Sequence, residues 1–435
     1  MLLRVAEGAY ASVLLATSEA ELNPQDRALC HELVMGVLRH QLWLDNLAAL
    51  YTNRKIDRLD LAVRVALRLG LYQLRFLSRI PASAAVNESV NLVRVARLRS
   101  AGGFVNAVLR RAVREPDADP ARGIDNDVSR LAVLSSHPEW LIDRWIKNFG
   151  FVEAEAFALS NNEPAPVAFR VNRNAEKDRV MGSLREAGAE LVPSEVVEDA
   201  WRITGAGRLL AEFARAGEVY IQDEASQLAA KVVGAQPGER VLDLCAAPGS
   251  KSTYIGNTGG DAVSVVACDL YEHRLRTVVS SARTQSLTNI HPVVLDGLQP
   301  LPFAEATFDR VLLDAPCSGT GTLRRNPEIR YRISTADIAD LAGRQKQLLG
   351  NAARVVRPGG HLIYSTCSVE PDENEAVVQQ FLENNDSFTL NELPVASRFR
   401  TSSGAARTWP QRDGADGFFI CSFVRKRCRD ERIGW

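Results

Sequence analysis

Val241-Leu242-Asp243-Leu244-Cys245-Ala246-Ala247-Pro248-Gly249-Ser250-Lys251 reads as a buried strand, a turn of small residues and the start of a helix. Small side chains in the turn let a ligand approach the backbone, and the helix N-terminus offers unpaired N–H groups. The stretch is neither G-x-G-x-x-G nor a Walker A loop, which argues against NAD and ATP. The same rhythm of strand, Gly- or Pro-containing turn and helix continues downstream. It predicts strands at 240–244, 264–269, 290–295, 310–313 and 361–365, with helices at 272–285 and 338–356, the latter closed by Arg357-Pro358-Gly359-Gly360. Apolar, β-branched strands alternating with helices imply a doubly wound α/β sheet covered on both faces.

Acidic residues recur where these strands end. Asp269 closes the second, about 25 residues after the small-residue turn, a spacing that suits a carboxylate on ribose hydroxyls. Asp296 follows the third and Asp314 ends the fourth. Each alone suits a helix cap; together they read as a nucleoside site. Asp314-Ala315-Pro316-Cys317-Ser318-Gly319-Thr320-Gly321 puts an acid and a thiol on one turn. In Leu362-Ile363-Tyr364-Ser365-Thr366-Cys367-Ser368-Val369-Glu370-Pro371 an apolar strand delivers a second cysteine to a strand end. Such a cysteine is either a packed small hydrophobe or a nucleophile. Two thiols at the ends of separate strands of one sheet favour thiolate chemistry. Beyond them, Arg324, Arg325, Arg330 and Tyr331 occupy an irregular stretch and read either as a grip on a phosphate backbone with a stacked base or as a solvated loop.

The whole chain, 435 residues with a net charge of −1, is too long for one core. No apolar run is long enough to span a bilayer, and Glu7 and Glu19 break any signal-peptide core. The seven cysteines (30, 245, 268, 317, 367, 421 and 428) are odd in number and scattered, without C-x-x-C. That argues against a disulfide framework and a zinc site and for a reducing, cytoplasmic setting. Cys268 suits core packing; Cys30, Cys421 and Cys428 read as structural or incidental. His137 and His273 read as surface or helix-end residues, with no metal constellation around them.

Three segments are expected. Residues 1–128 are all-helical, with breaks at Asn23-Pro24, Thr52-Asn53 and Ile80-Pro81, and a linker rich in Pro, Asp and Gly from 116. The first helix begins in mid-pattern at Met1, as a truncated start would. Residues 1–115 carry 16 Lys+Arg against 10 Asp+Glu, nearly all the cations arginine, which suits RNA phosphates or a solvated helical face. Residues 129–215 read as a small α+β module with strands at 167–171, 190–192 and 201–203; Arg170 and Asn172 there suit RNA contact or a structural role equally. Residues 216–435 hold the α/β domain.

Two resemblances sharpen this. "LRLGLYQLRFLSRIPASAAVNESV" followed by "FVNAVLRR" resembles the NusB-type RNA-binding helical domain, over about the first quarter of the chain. "DLCAAPGSK", "DAPCSGTG", "YSTCSVEPDENE" and "WPQRDGADGFF" resemble the S-adenosylmethionine-dependent RNA 5-methylcytosine methyltransferases of the Fmu/Sun type. Together the segments resemble the RsmB family, which methylates cytosine C5 in 16S rRNA, free or in an early assembly particle. One departure is Ser250, where that family usually has glycine. The resemblance implies a Rossmann-like methyltransferase domain behind a NusB-like domain and a small α+β module. It implies S-adenosylmethionine cradled by Cys245, Ala246, Ala247, Pro248, Gly249, Ser250 and Lys251, with Asp269 on the ribose, Asp296 on the adenine amino group and Asp314 beside the cofactor. It makes Cys367 the nucleophile on cytosine C6, Asp314 the contact at N3 and Cys317 the residue that assists release. No metal, membrane or oligomer is implied. The alternatives are a tRNA cytosine-C5 methyltransferase, a DNA cytosine methyltransferase, and an inactive RNA-binding or ribosome-assembly factor. The NusB-like segment weighs against the DNA enzyme, and the retained thiols and aspartates against the inactive factor.

Overall fold

The computed structural model describes residues 1–18 and 22–427; Cys428 lies outside them. The chain forms two compact units. One comprises Met1–Pro164 and Leu323–Arg332; the other comprises Ala165–Thr322 and the chain from Ile333 onward. This differs from the division expected at 128/129 and 215/216. Helices Asp127–Ser135, Glu139–Phe149 and Phe151–Ser160 belong to the first unit, because their apolar faces (Leu131, Leu141, Trp145, Phe157) pack within it rather than on a strand.

The first unit is all-helical. Asn23 caps helix Pro24–Arg39 by accepting from the Asp26 N–H, with proline at the first turn where its missing N–H costs nothing. Helices Gln41–Thr52, Leu61–Phe76, Ala82–Val95 and Gly102–Arg114 bury one face each around Leu44, Leu47, Leu67, Leu71, Val105 and Leu109. A Cβ on Gly70 would lie 2.5 Å from the Leu109 side chain, so glycine lets two of these helices touch.

In the second unit, β1 (Val167–Val171), β2 (Glu190–Pro193), β3 (Ala200–Thr204) and β4 (Val219–Ile221) form an antiparallel sheet in the order β2-β3-β1-β4. Its last strand lies beyond the expected end of the small module because it pairs with β1. The larger sheet holds β5 (Arg240–Asp243), β6 (Ser264–Asp269), β7 (Ile290–Val294), β8 (Phe308–Asp314) and β9 (Val356–Thr366), all parallel. It also holds β10 (Phe388–Leu390), β11 (Ala406–Arg407) and β12 (Phe419–Arg425), which run antiparallel to their neighbours. The order is β10-β12-β9-β8-β5-β6-β7, with β11 off the edge of β12. Strand order reverses beside β5, so a crevice opens at the carboxyl ends of β5 and β8.

Two readings change. Arg357-Pro358-Gly359-Gly360 does not cap the long helix. It opens β9, where a bulge against β8 and a φ of +78° at Gly359 absorb the irregular residues. His137 is fully buried, its ring edge-on to Trp145 at 5.2 Å and its Nδ1 3.1 Å from Ser135 Oγ; burial drives its pKa well below the ordinary value. Among the described residues, no helix is long and apolar enough to cross a membrane, and no cluster of His, Cys, Asp and Glu is placed for a metal ion.

Candidate active site

A cavity of about 360 Å³ lies at the carboxyl ends of the parallel strands, lined by Cys245 and Ala247, by Asp269, Leu270 and Tyr271, by Asp296, and by Asp314, Cys317 and Cys367. Each lining group is carried there by its strand end. Asp269 and Asp314 are the last residues of β6 and β8, Asp296 lies two residues beyond β7, and Cys367 directly follows β9. Because β8 and β9 pair in parallel with Asp314 beside Ser365, their following turns are neighbours, and the Cys317 and Cys367 sulfurs stand 3.3 Å apart.

The small-residue turn divides between cavity and core. Cys245 and Ala247 face the cavity, whereas Ala246 is buried among Ala267, Leu275 and Val278, and Pro248 is exposed. The Ala247 N–H donates to Asp269 Oδ2 at 3.3 Å, tying the turn to the next strand end. Gly249 has φ +107°, and a Cβ there would lie 2.9 Å from the Val278 Cα, so its smallness serves packing as well as ligand approach. Ser250 begins helix Ser250–Gly259, keeping the turn compact where a second glycine was expected. Asp296 accepts from the Leu298 N–H at 3.0 Å, which turns the chain back along the cavity wall.

Asp314 is held from two sides. Lys251 Nζ donates to its Oδ2 at 2.7 Å, and the Ser365 hydroxyl donates to Oδ1 at 2.8 Å. Burial alone would lower the Lys251 pKa, but the charge and hydrogen bond of Asp314, with Cys367 and Asp243, together outweigh it and the ammonium is held above its ordinary value. This gives Lys251 a role, orienting Asp314, that its place in the motif did not reveal. The hydrogen bond to Cys367, then burial, raises the Cys317 pKa well above the usual thiol value, so Cys317 keeps its proton at neutral pH. Burial and the surrounding carboxylates push the Cys245 thiol up as well, which makes it a wall rather than a nucleophile. Asp243, named in the motif without a role, is buried beneath the turn and accepts from Ser252 Oγ at 2.6 Å; burial raises its pKa to about 7. Arg274, in the first turn of helix Glu272–Thr284, stands 3.5 Å from Asp269 Oδ2, and its position in a surface-type helix gave no signal.

Three of the four expected RNA contacts, Arg324, Arg330 and Tyr331, are corrected. Arg324, Arg330 and Tyr331 lie in the segment that belongs to the helical unit. Arg330 is fully buried, donating to the carbonyls of Arg39, Ser136 and Asn161 and to Asn162 Oδ1. The Tyr331 hydroxyl donates to the Leu38 and Ser136 carbonyls, and Arg324 is 3% exposed, its carbonyl accepting from Arg39. A guanidinium enclosed by carbonyls presents no donor to a phosphate. Arg325 is half-buried. Arg170, too, is buried, its guanidinium 4.4 Å from the Tyr220 ring centroid and 5.1 Å from that of Tyr254, and the Asn172 amide donates to the Gly217 carbonyl; both serve the structure.

Residues 230–424 match the family described as 16S rRNA methyltransferase RsmB/F. Residues 1–114 match the NusB family, and 137–209 match the RsmF/B-like ferredoxin-like domain. A protein of Bacillus subtilis (strain 168) named "Probable ribosomal RNA small subunit methyltransferase B" is 35% identical over 429 residues, 96% of this chain and 95% of that one. A protein of Erwinia tasmaniensis named "Ribosomal RNA small subunit methyltransferase B" is 35% identical over 427 residues, 97% of this chain and 96% of that one. The solved structure titled "Crystal Structure of PH0851" superposes with a TM-score of 0.83 at 27% identity, covering 97% of this chain and 96% of that one.

Proposed function

The chain belongs to the RsmB family of S-adenosylmethionine-dependent ribosomal RNA methyltransferases, and on that premise we propose that it methylates C5 of a cytosine in 16S rRNA through a covalent Cys367–C6 intermediate. The observation that carries this is the pair of sulfurs 3.3 Å apart on a cavity edged by strand-end carboxylates. The cavity's lining supports a cofactor reading: Asp269 accepts from the ribose hydroxyls, Asp296 meets the adenine amino group, and the backbone between Cys245 and Lys251 holds the methionine part. When bound, S-adenosylmethionine supplies an electrophilic methyl on a sulfonium and leaves as a neutral thioether.

Cytosine C5 is too weak a nucleophile for that methyl. The Cys367 thiolate bonds to C6, which moves electron density to C5 and makes it enamine-like. Asp314, fixed by Lys251 and Ser365, contacts the base at N3 as C6 is attacked. After methylation the C5 proton passes to solvent water, the C5–H electron pair forms the C5–C6 double bond, and the S–C6 bond breaks with its pair on sulfur, so that Cys367 leaves as thiolate. Cys317, protonated and adjacent, assists this release. The base has to leave its stack to enter such a pocket, which favours an RNA loop or an opened helix. The NusB-like helices provide the RNA-facing surface, and the enzyme works in the cytoplasm, on free RNA or an early particle.

Single-cysteine variants test the chemistry. Cys367→Ala is expected to abolish methyl transfer and covalent trapping of RNA; Cys317→Ala is expected to accumulate a denaturant-resistant protein–RNA adduct. An active Cys367→Ala protein would overturn the assignment. Bisulfite sequencing of a deletion strain tests the substrate: loss of a tRNA mark with ribosomal RNA unchanged would make tRNA the target.

A further inference from the structure

Glu373 lies outside the cavity lining, is fully buried, and gathers hydrogen bonds from both cysteine-bearing turns. Its Oε1 accepts from the Ser318 N–H at 2.8 Å, and its Oε2 accepts from the hydroxyls of Ser318 and Ser368. Ser318 follows Cys317, and Ser368 follows Cys367. Gln345, from helix Thr335–Val355, adds its amide N–H to Oε1 at 3.0 Å and also donates to the Pro316 carbonyl at 2.9 Å. The Tyr364 hydroxyl holds the Glu373 carbonyl at 2.6 Å, which anchors the acid to β9 itself.

We propose that Glu373 is a positioning residue, a carboxylate clamp that fixes the Cys317 turn against the Cys367 turn and so sets the spacing of the two thiols. The Ser318 backbone N–H and the Gln345 NH2, the latter fixed by its bond to the Pro316 carbonyl, both donate to Oε1, and the two serine hydroxyls donate to Oε2, so the site uses both oxygens of a carboxylate. A carboxylate accepts all four bonds; a glutamine keeps one acceptor oxygen, puts an NH2 where the two serine hydroxyls donate so that both must turn to accept, and removes the negative charge. Glu373 is also among the groups that raise the Cys317 pKa, after the bond to Cys367 and burial. The clamp thereby helps keep the proton on Cys317. No other residue among the described ones bonds through its side chain to both serines that follow the two cysteines, except Thr320, whose hydroxyl stands 3.4 Å from that of Ser318 and 3.3 Å from that of Ser368. Those are longer contacts between neutral groups, so the charged acceptor is the one that defines the geometry.

The kinetic part of this inference rests on Cys317 and Cys367 being the catalytic pair; the clamp itself does not. The full-length protein without RNA is alkylated with iodoacetamide across pH 6–10, and labelling at each cysteine is mapped by mass spectrometry. In Glu373→Gln the Cys317 profile is expected to move to lower pH, with Glu373→Asp restoring it in part. With RNA and S-adenosylmethionine, Glu373→Gln is expected to lose about 100-fold in kcat, the scale of a misplacement of about 1 Å, with KM for both substrates within threefold. An alkylation profile that superposes on that of the unmodified protein overturns the proposal, even if kcat falls, because a merely structural acid would give that result. If Glu373→Gln does not fold, Ser318→Ala and Ser368→Ala each remove one donor. A kcat within twofold of the unmodified protein for both overturns it as well. A clamp that passes the alkylation arm in a protein whose Cys367→Ala variant stays active would leave the clamp standing and remove the catalytic reading.

Discussion

Asp243 shows how much one residue beneath a site can cost. It is 1% exposed at the end of β5, with one oxygen bonded to Ser252 and Oδ1 without a partner. Burial, opposed by the Ser252 bond and reinforced by Asp314, raises its pKa from 3.8 to about 7. An acid whose folded-state pKa is raised binds its proton more tightly when folded. Its contribution to stability is therefore complete below about pH 4 and is lost as pH rises toward 7, a swing of up to about 4 kcal/mol. Asp243→Asn keeps an acceptor for Ser252 and removes the titration. Its stability is expected to stay flat from pH 4 to 7 relative to the unmodified protein, measured by urea unfolding at fixed pH steps. Parallel curves for the two proteins would contradict the raised pKa. At this scale the sequence was readable where a residue's place follows from the strand pattern: Asp269 and Asp314 end their strands and Cys367 directly follows one, as the apolar runs before them imply. It was silent on Asp243 and Glu373, whose roles depend on what surrounds a buried carboxylate rather than on a motif.

The elements that hold the site are short turns under close packing. Gly249 joins β5 to helix Ser250–Gly259 with φ +107°, and the nearest obstacle to a Cβ is main chain, the Val278 Cα, which cannot swing aside. Gly249→Ala therefore combines backbone strain with a collision. It is expected to cost about 1–3 kcal/mol of stability. It should also weaken S-adenosylmethionine binding at least tenfold by calorimetry, since the turn shifts against Asp269 through the Ala247 bond. Unchanged affinity would mean that the turn does not shape the cofactor pocket. The parallel strands β5, β6 and β8 and the later part of β9 were legible from their short apolar runs. The antiparallel strands β10, β11 and β12 were not: two are of three residues or fewer, and although Asp413-Gly414 and Asp416-Gly417 signal a turn before β12, the strand on the other side of that turn, β11, has only two residues. The bulged start of β9 was read as a helix stop because Pro-Gly-Gly signals an interruption without saying of what.

In the molecule as a whole, the chain leaves the second unit at Thr322, contributes ten residues to the first, and returns at Ile333. Arg330 is the hub of that contribution. Its guanidinium, whose pKa burial lowers to about 10, stays charged at neutral pH and satisfies carbonyls at the ends of helices Pro24–Arg39, Asp127–Ser135 and Phe151–Ser160. A local reading of Arg-Arg-Asn-Pro-Glu-Ile-Arg-Tyr cannot distinguish this from an exposed basic loop, because apart from the Leu323 carbonyl the acceptors come from residues 168 to 291 positions away. Arg330→Leu keeps an apolar stem but removes every donor, leaving those carbonyls buried and unmet. The loss is expected to be about 3–5 kcal/mol, as for breaking a buried charged network, read as an earlier unfolding transition of the helical unit in a thermal scan. All residues lining the cavity belong to the other unit. S-adenosylmethionine affinity below that transition is accordingly expected to change by less than twofold. Arg330 as an RNA contact would give the opposite pattern, with stability retained and RNA affinity lost and less steeply dependent on salt. The pair of measurements therefore decides whether this arginine holds the helical unit together or serves the substrate.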